Sequence, residues 1–183
     1  MPMTQYIVFT ADVQTVQAAK LRNALVQASN ARNDIYLIIS SGGGNIFEGL
    51  SLASFMKTLP VQIITHNIGQ IDSIASVIFA AGSKRYASAQ ASFLFHGVSM
   101  HYEHQDFIES QLQEQYIQVK RLRENIASAF ASYTGLSIAD TQALMVSGAT
   151  ILSAQEALSK AIIHEIRDAA VPAGSQVVAI GNG

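Results

Sequence analysis

Ile35-Tyr36-Leu37-Ile38-Ile39-Ser40-Ser41-Gly42-Gly43-Gly44 reads as a strand that runs directly into a glycine turn. A continuous apolar, β-branched run is expected of a strand covered on both faces. After the turn, Ile46 to Thr58 has helical spacing, and Pro60 marks its end. The same strand-then-helix grammar recurs on either side. Upstream, Tyr6 to Thr10 is a short strand, and Val13 to Ser29 repeats Val13, Val16, Leu21 and Leu25 near helical spacing. Downstream, Val61 to Ile68 is a strand and Ser73 to Ala81 a helix stopped by Gly82. Shorter strands follow near Arg85 to Ala87 and Ser92 to His96. Alternation of this kind predicts an α/β fold built on a mainly parallel sheet with crossover helices.

The period then changes. From about Asp106 to Tyr133 there is neither proline nor glycine, and Phe107, Ile108, Leu112, Tyr116, Val119, Leu122, Ile126 and Phe130 recur at helical spacing. Such a helix is about 40 Å long at 1.5 Å per residue, too long to lie over one small sheet. It is expected to project and pack against a partner. Thr134-Gly135 ends it, and shorter helices are expected near Ser137 to Val146 and Ser153 to Ala161, with a last strand at Ile162 to Ile166. Residues 1–168 are expected to form one domain, and the Ala-, Gly-, Val- and Ser-rich residues 169–183 a frayed tail.

Composition narrows the class. Of 183 residues, 49% are hydrophobic but only 13% charged, about half the usual share of about 25%. A solvated surface needs more charge than that, so the chain is expected to bury surface between subunits. The net charge of −2 and the lack of a basic stripe argue against nucleic acid. With no cysteine, thiol nucleophiles, disulfides and zinc–thiolate sites are excluded, in keeping with a reducing compartment. No basic-then-apolar leader opens the chain and no apolar run approaches the roughly 20 residues of a membrane span. The expectation is a cytoplasmic protein with no membrane contact and no cofactor. His66, His101 and His104 suggest no metal site, since the His101/His104 pair lacks an evident third ligand.

Two side chains carry candidate chemistry. Ser73 opens the apolar segment Ile74-Ala75-Ser76-Val77-Ile78-Phe79-Ala80-Ala81, and His96 closes the run Phe93-Leu94-Phe95. A serine hydroxyl becomes nucleophilic when a base accepts its proton. The Gly42–Gly44 turn lets the backbone approach a ligand closely and offers amide donors to an oxyanion, each worth roughly 3–4 kcal/mol of barrier. Nucleophile, base and oxyanion donors together point to acyl transfer by a hydrolase. Read singly, Ser73 is also an ordinary helix cap, His96 a core histidine and the glycines a plain strand-to-helix turn. A phosphate-binding loop is disfavoured because no Gly-Lys-Ser/Thr ending follows.

The stretch from Ile35 to Gly44, with Gly69-Gln70-Ile71-Asp72-Ser73, Ala81-Gly82-Ser83-Lys84-Arg85, Phe93-Leu94-Phe95-His96 and Ile151-Leu152-Ser153-Ala154-Gln155-Glu156-Ala157, resembles the proteolytic subunit of the Clp protease. The resemblance runs from about Tyr6 to Ile166 in the family's order. It implies a ClpP/crotonase-type fold, with the helix at about 106–133 as the handle that interlocks two rings. It implies a serine endopeptidase in which Ser73 is the nucleophile and His96 the general base, with the amides of Gly44 and Ile74 as the oxyanion hole. Gly43, Ile46 and Val98 would bind the substrate peptide as an added strand. It further implies homo-oligomeric, heptameric rings stacked around a chamber, fed with unfolded chains by an AAA+ ATPase.

The pattern also breaks. The family's third catalytic residue is an aspartate, and ungapped alignment of the motif at Ile151 puts Ala149 there. Losing that role lowers turnover by about 10⁴ in other serine hydrolases, or roughly 5 kcal/mol. Three outcomes are open. Ser147, Thr150 or a backbone carbonyl orients His96; an acid arrives from elsewhere (Asp140, Glu156, Asp168 or a neighbouring subunit); or the site is impaired. Asp72 stands where the family has a small apolar residue, and its simplest role is that of an N-terminal capping acid. Gly42 replaces the usual proline. The first strand begins at about Tyr6, so the extension that helps dock the ATPase is expected to be essentially missing, which argues against the ATPase partnership but not against the peptidase chemistry. The alternatives are a crotonase-type acyl-CoA enzyme and a catalytically impaired ring protein.

Overall fold

The computed structural model describes residues 3–99, 106–146 and 148–182. Strand β1 (Thr4–Thr10), helix α1 (Thr15–Asn30), β2 (Asp34–Ser41), α2 (Ile46–Thr58), β3 (Ile63–Asp72) and α3 (Ala75–Ala80) follow in turn, as the alternating pattern predicts. Then come β4 (Lys84–Ala87), β5 (Ser92–Phe95), α4 (Glu109–Thr134), α5 (Ile138–Val146), β6 (Thr150–Ser153), α6 (Ala154–Ser159), β7 (Glu165–Ile166) and β8 (Val177–Gly181). The strands form one sheet in the order β6-β5-β3-β2-β1-β8, with β4 pairing β3 and β7. Every pairing is parallel except β5 with β6. The α/β class and the mainly parallel sheet expected from the sequence are therefore present.

Alternation along β1 and β2 places Ile7, Phe9, Ile35, Leu37 and Ile39 on one face, each fully buried, in one core with Leu21 and Leu25 of α1 and Leu52 of α2. The other face is not apolar throughout, as the run at Ile35–Ile39 suggested. It carries an aromatic row in which Tyr6 meets Tyr36, Tyr36 meets His66 and His66 meets Tyr86. Arg167 lies over the Tyr86 ring, 5.0 Å from its centroid.

The bend that matters for function is in β3. Its first half pairs with β4 (Ile64↔Lys84 to Asn67↔Ala87), its second half with β5 (Gln70↔Ser92 to Asp72↔Leu94). The ladder to β2 shifts register between Ile39 and Ser41, the signature of a bulge that re-aims a strand. Gly69 sits there, and a Cβ on it would lie 2.8 Å from Ser40 Oγ. The carboxyl ends of β3 and β5, which carry Ser73 and His96, are thereby brought side by side. Ligands of open α/β sheets bind beyond such strand ends.

Three local expectations need correction. The helix at Ser73–Ala81 is shorter, and its N-cap is Ile74 with no side-chain cap bond, so neither Ser73 nor Asp72 caps it. The expected strand at Ile162–Ile166 shrinks to β7, because Ile162 and Ile163 are buried and end the α6 turn instead. The segment 169–183, expected as a tail, contains β8, which pairs with β1 from Tyr6↔Val177 to Thr10↔Gly181. Helix α4 buries Ile126, Ala127, Phe130 and Ala131, while Leu112 and Tyr116 nearer its start are 56% and 68% exposed.

Candidate active site

Ser73 occupies the hinge between β3 and α3 with φ of 54°. A non-glycine residue seldom adopts that left-handed conformation, which costs on the order of 1 kcal/mol or more. Three bonds hold it there. Its N–H donates to Leu94 O at 2.8 Å, and its carbonyl accepts from Ser76 N at 3.0 Å and Ser76 Oγ at 2.6 Å. A strained strand-to-helix turn of this kind lifts a serine hydroxyl clear of the backbone, as in a nucleophile elbow.

The glycine turn is built against that hinge. Gly43 has φ of 87°, and a Cβ on it would lie 2.8 Å from Asp72 O and 2.9 Å from Ser73 Cβ. Gly44 has φ of 140°, and its Cβ would lie 2.6 Å from Val13 O. Val13 clamps the turn from the other side, donating to Gly43 O at 2.6 Å and accepting from Asn45 N at 2.7 Å. Asn45 then caps α2, its side-chain oxygen accepting from Phe47 N and Glu48 N. Among the described residues no hydrogen bond uses the N–H of Gly44 or of Ile74. Two donors are thus left without an acceptor among the described residues.

A cavity of about 100 Å³ lies between these parts, lined by Gly44, Ile46, Ser73, Ile74, Phe95, His96, Gly97, Val98, Ser99, Ile126 and Met145. The structure brings the sequence-derived residues together: all but Gly43 line this space, and Gly43 abuts Ser73 from behind. Phe95 packs edge-on against Phe130 at 5.3 Å, which ties α4 to the strand that ends in His96. The contributions of Ile126 and Met145 were not foreseen. Both lie far along the chain from Ser73, and a single apolar residue in a helix gives no sign of which cavity it floors.

His96 is exposed, and its Nδ1 donates to the carbonyl of Gly97 at 2.6 Å. A carbonyl can only accept, so Nδ1 carries a proton, which in the neutral ring leaves the lone pair on Nε2, the tautomer a general base needs. No hydrogen bond joins Ser73 Oγ to His96 among the described residues. Such contacts are often long before substrate binds. The β5–β6 ladder ends at Phe95↔Thr150, so His96 and Ala149 each lie one residue beyond its last pair.

None of the proposed substitute acids reaches His96 within the described residues. Asp140 binds Ser137 and Glu156 closes a capping box with Ser153, whose backbone and hydroxyl bonds hold its carboxyl below the usual range. Asp168 acts on His66 instead. Ser147 lies outside the described residues, as do His101 and His104. Asp72 is half-buried at the end of β3. Burial pushes its carboxyl above the usual range, and His96 opposes that shift. No group of three His, Asp or Glu that could hold a metal occurs among the described residues.

Comparison with known proteins fits this geometry. A family model described as Clp protease matches residues 2–170. The chain belongs to the Clp protease family. It is 30% identical over 158 residues to the ATP-dependent Clp protease proteolytic subunit 1 of Leifsonia xyli subsp. xyli (strain CTCB07), covering 84% of this chain and 76% of the relative. The family makes the chain a hydrolase of the serine endopeptidase class, which decides between peptidase and acyl-CoA chemistry in favour of the peptidase. No described helix is long and apolar enough to cross a membrane.

Proposed function

We infer that Ser73 attacks a peptide carbonyl while His96 Nε2 accepts its proton, and that the N–H groups of Gly44 and Ile74 receive the oxyanion. The acyl-enzyme ester then forms as His96 returns the proton to the leaving amine. Water, deprotonated by the same imidazole, releases the product. Gly43, Ile46 and Val98 hold the substrate as an extended strand beside the cavity. The observation that carries this reading is a strained serine sharing one cavity with a histidine and two unused backbone donors.

Gly97 O orients the imidazole but, being neutral, stabilises the imidazolium less than a carboxylate does. The enzyme on this reading is a Ser–His dyad, slower than a full triad. The low charge content and the exposed Leu112 and Tyr116 of α4 support burial of surface between copies of the chain, and the family resemblance extends this reading to stacked heptameric rings in the cytoplasm. Delivery of unfolded chains by an AAA+ ATPase belongs to the same reading, in line with the relative's name. The test is hydrolysis of a fluorogenic peptide by the purified protein. Turnover lost in Ser73→Ala and His96→Ala supports the dyad, and turnover unchanged in Ser73→Ala refutes it. A second reading, a silent ring subunit, rests on Ala149 beside His96; absence of turnover alone together with co-purification of an active homologue would favour it.

A further inference from the structure

We propose that Asn182, presented by β8, is a positioning residue for the oxyanion turn. The inference rests on the peptidase reading above for its catalytic consequence, though not for its structural link. The chain of contacts is short. Strand β8 lies along β1 as far as Thr10↔Gly181, anchored by the buried Ile180. The next residue, Asn182, turns its side-chain oxygen onto the loop after β1 and accepts from Asp12 N at 2.8 Å. Gln17 Nε2, on the first turn of α1, donates to Asn182 O at 3.4 Å.

That loop is the part which grips the glycine turn. Val13 is fully buried and makes both backbone bonds to Gly43 and Asn45. A Cβ on Gly42 would come within 3.2 Å of Asp12 Oδ1, so the loop also meets the turn one residue earlier. Gly42–Gly44 has a local bond of its own, from Gly43 N to Ser41 Oγ at 3.2 Å, but little else within it fixes its shape. Glycine has the widest backbone freedom of any residue, and a proline is absent from this turn. Its geometry therefore depends on residues 12–13, and theirs on what lies behind them. Asn182 supplies a bond at that point.

Oxyanion donors act only when aimed before the reaction begins, and small misplacements of catalytic groups cost up to about 100-fold. Loosening the loop lowers the rate of acylation without weakening ground-state peptide binding. The expected signature of Asn182→Ala is a fall in kcat of about tenfold with KM nearly unchanged. Asn182→Asp, which keeps the acceptor oxygen, restores most of it.

The test compares wild type, Asn182→Ala, Asn182→Asp and Ile180→Ala by peptide kinetics, thermal melting and amide hydrogen exchange. Exchange at Val13 and Asn45 reads the grip directly and needs no activity. The proposal holds if Asn182→Ala and Ile180→Ala speed exchange at these two amides and lower kcat rather than raise KM, with Asn182→Asp close to wild type. Unchanged exchange in both variants overturns it, whatever the activity does. A lowered Tm with kcat preserved also overturns it, because Asn182 then only stabilises the fold. If the wild type neither turns over peptide nor labels at Ser73, the peptidase reading has failed, and the exchange result still decides the link.

Discussion

On the peptidase reading, Ala149 is the residue on which the rate is expected to depend most. It adjoins Thr150, the partner of Phe95 at the end of the β5–β6 ladder, and on that reading it would leave the imidazolium with only the neutral Gly97 carbonyl that His96 Nδ1 meets. Restoring the charge tests this. Ala149→Asp is expected to raise kcat for a short peptide by about 10- to 100-fold, part of the 10⁴ that the missing role is worth elsewhere. A rate unchanged or lowered by the substitution, in a protein with native melting, shows that Gly97 O already does all that the imidazole requires. Asp72 would then matter more. Its carboxyl, half-buried beside Ser73, is raised by burial, a shift that His96 opposes.

Among the elements, the strand ends were readable and the joints between them were not. Ile35–Ile39, Phe93–Phe95 and the helix starting at Ile46 declared themselves through apolar runs and a glycine turn, because those signals are local. Ser73 reads as a helix cap, since nothing in Gln70-Ile71-Asp72-Ser73 reveals that β3 continues to Asp72 and turns through a left-handed serine. Strand β8 was missed because Val177-Val178-Ala179-Ile180 is too short, between Gly174 and Gly181, to distinguish from a coil, and its pairing partner lies at the other end of the chain. Ala149 was legible only through a motif, while the Gly97 carbonyl that His96 Nδ1 meets carries no side-chain signal at all. Arg85 shows the same limit. It is 5% exposed and donates to the carbonyls of Ile162, Gly82, Tyr133 and Ala161, joining the end of α4 to the turn after α6. Arg85→Ala leaves those acceptors unpaired and is expected to cost about 3 kcal/mol, read as a shifted midpoint in urea. Arg85→Lys should recover less than half, because one ammonium cannot span four carbonyls. A midpoint that stays put would remove Arg85 from the framework.

The molecule as a whole has an acid-sensitive seam along the aromatic row. Tyr36 Oη donates to His66 Nδ1 at 2.7 Å, and His66 Nε2 donates to Arg167 O at 3.1 Å. Both nitrogens are used in the neutral ring, and burial holds the imidazole below its ordinary 6.5. The unfolded chain thus takes up the proton first, so stability falls as pH drops below about 6.5 and levels off only under the folded value. Burial and Arg85 lower His164 as well, which acts in the same direction. Thermal melts between pH 7.5 and 5.5 should show Tm falling with acid in the wild type and falling less in His66→Gln. Equal slopes would place the sensitivity elsewhere.

Across all of this, function comes down to whether the hydroxyl on that strained hinge is a nucleophile fed by His96. Incubation with a fluorophosphonate followed by intact mass and peptide mapping answers it. One adduct per chain at Ser73, absent in Ser73→Ala and much slowed in His96→Ala, is expected. An unmodified, folded wild type, or an adduct that survives in Ser73→Ala, would show that the cavity between the two strand ends is not a serine peptidase site.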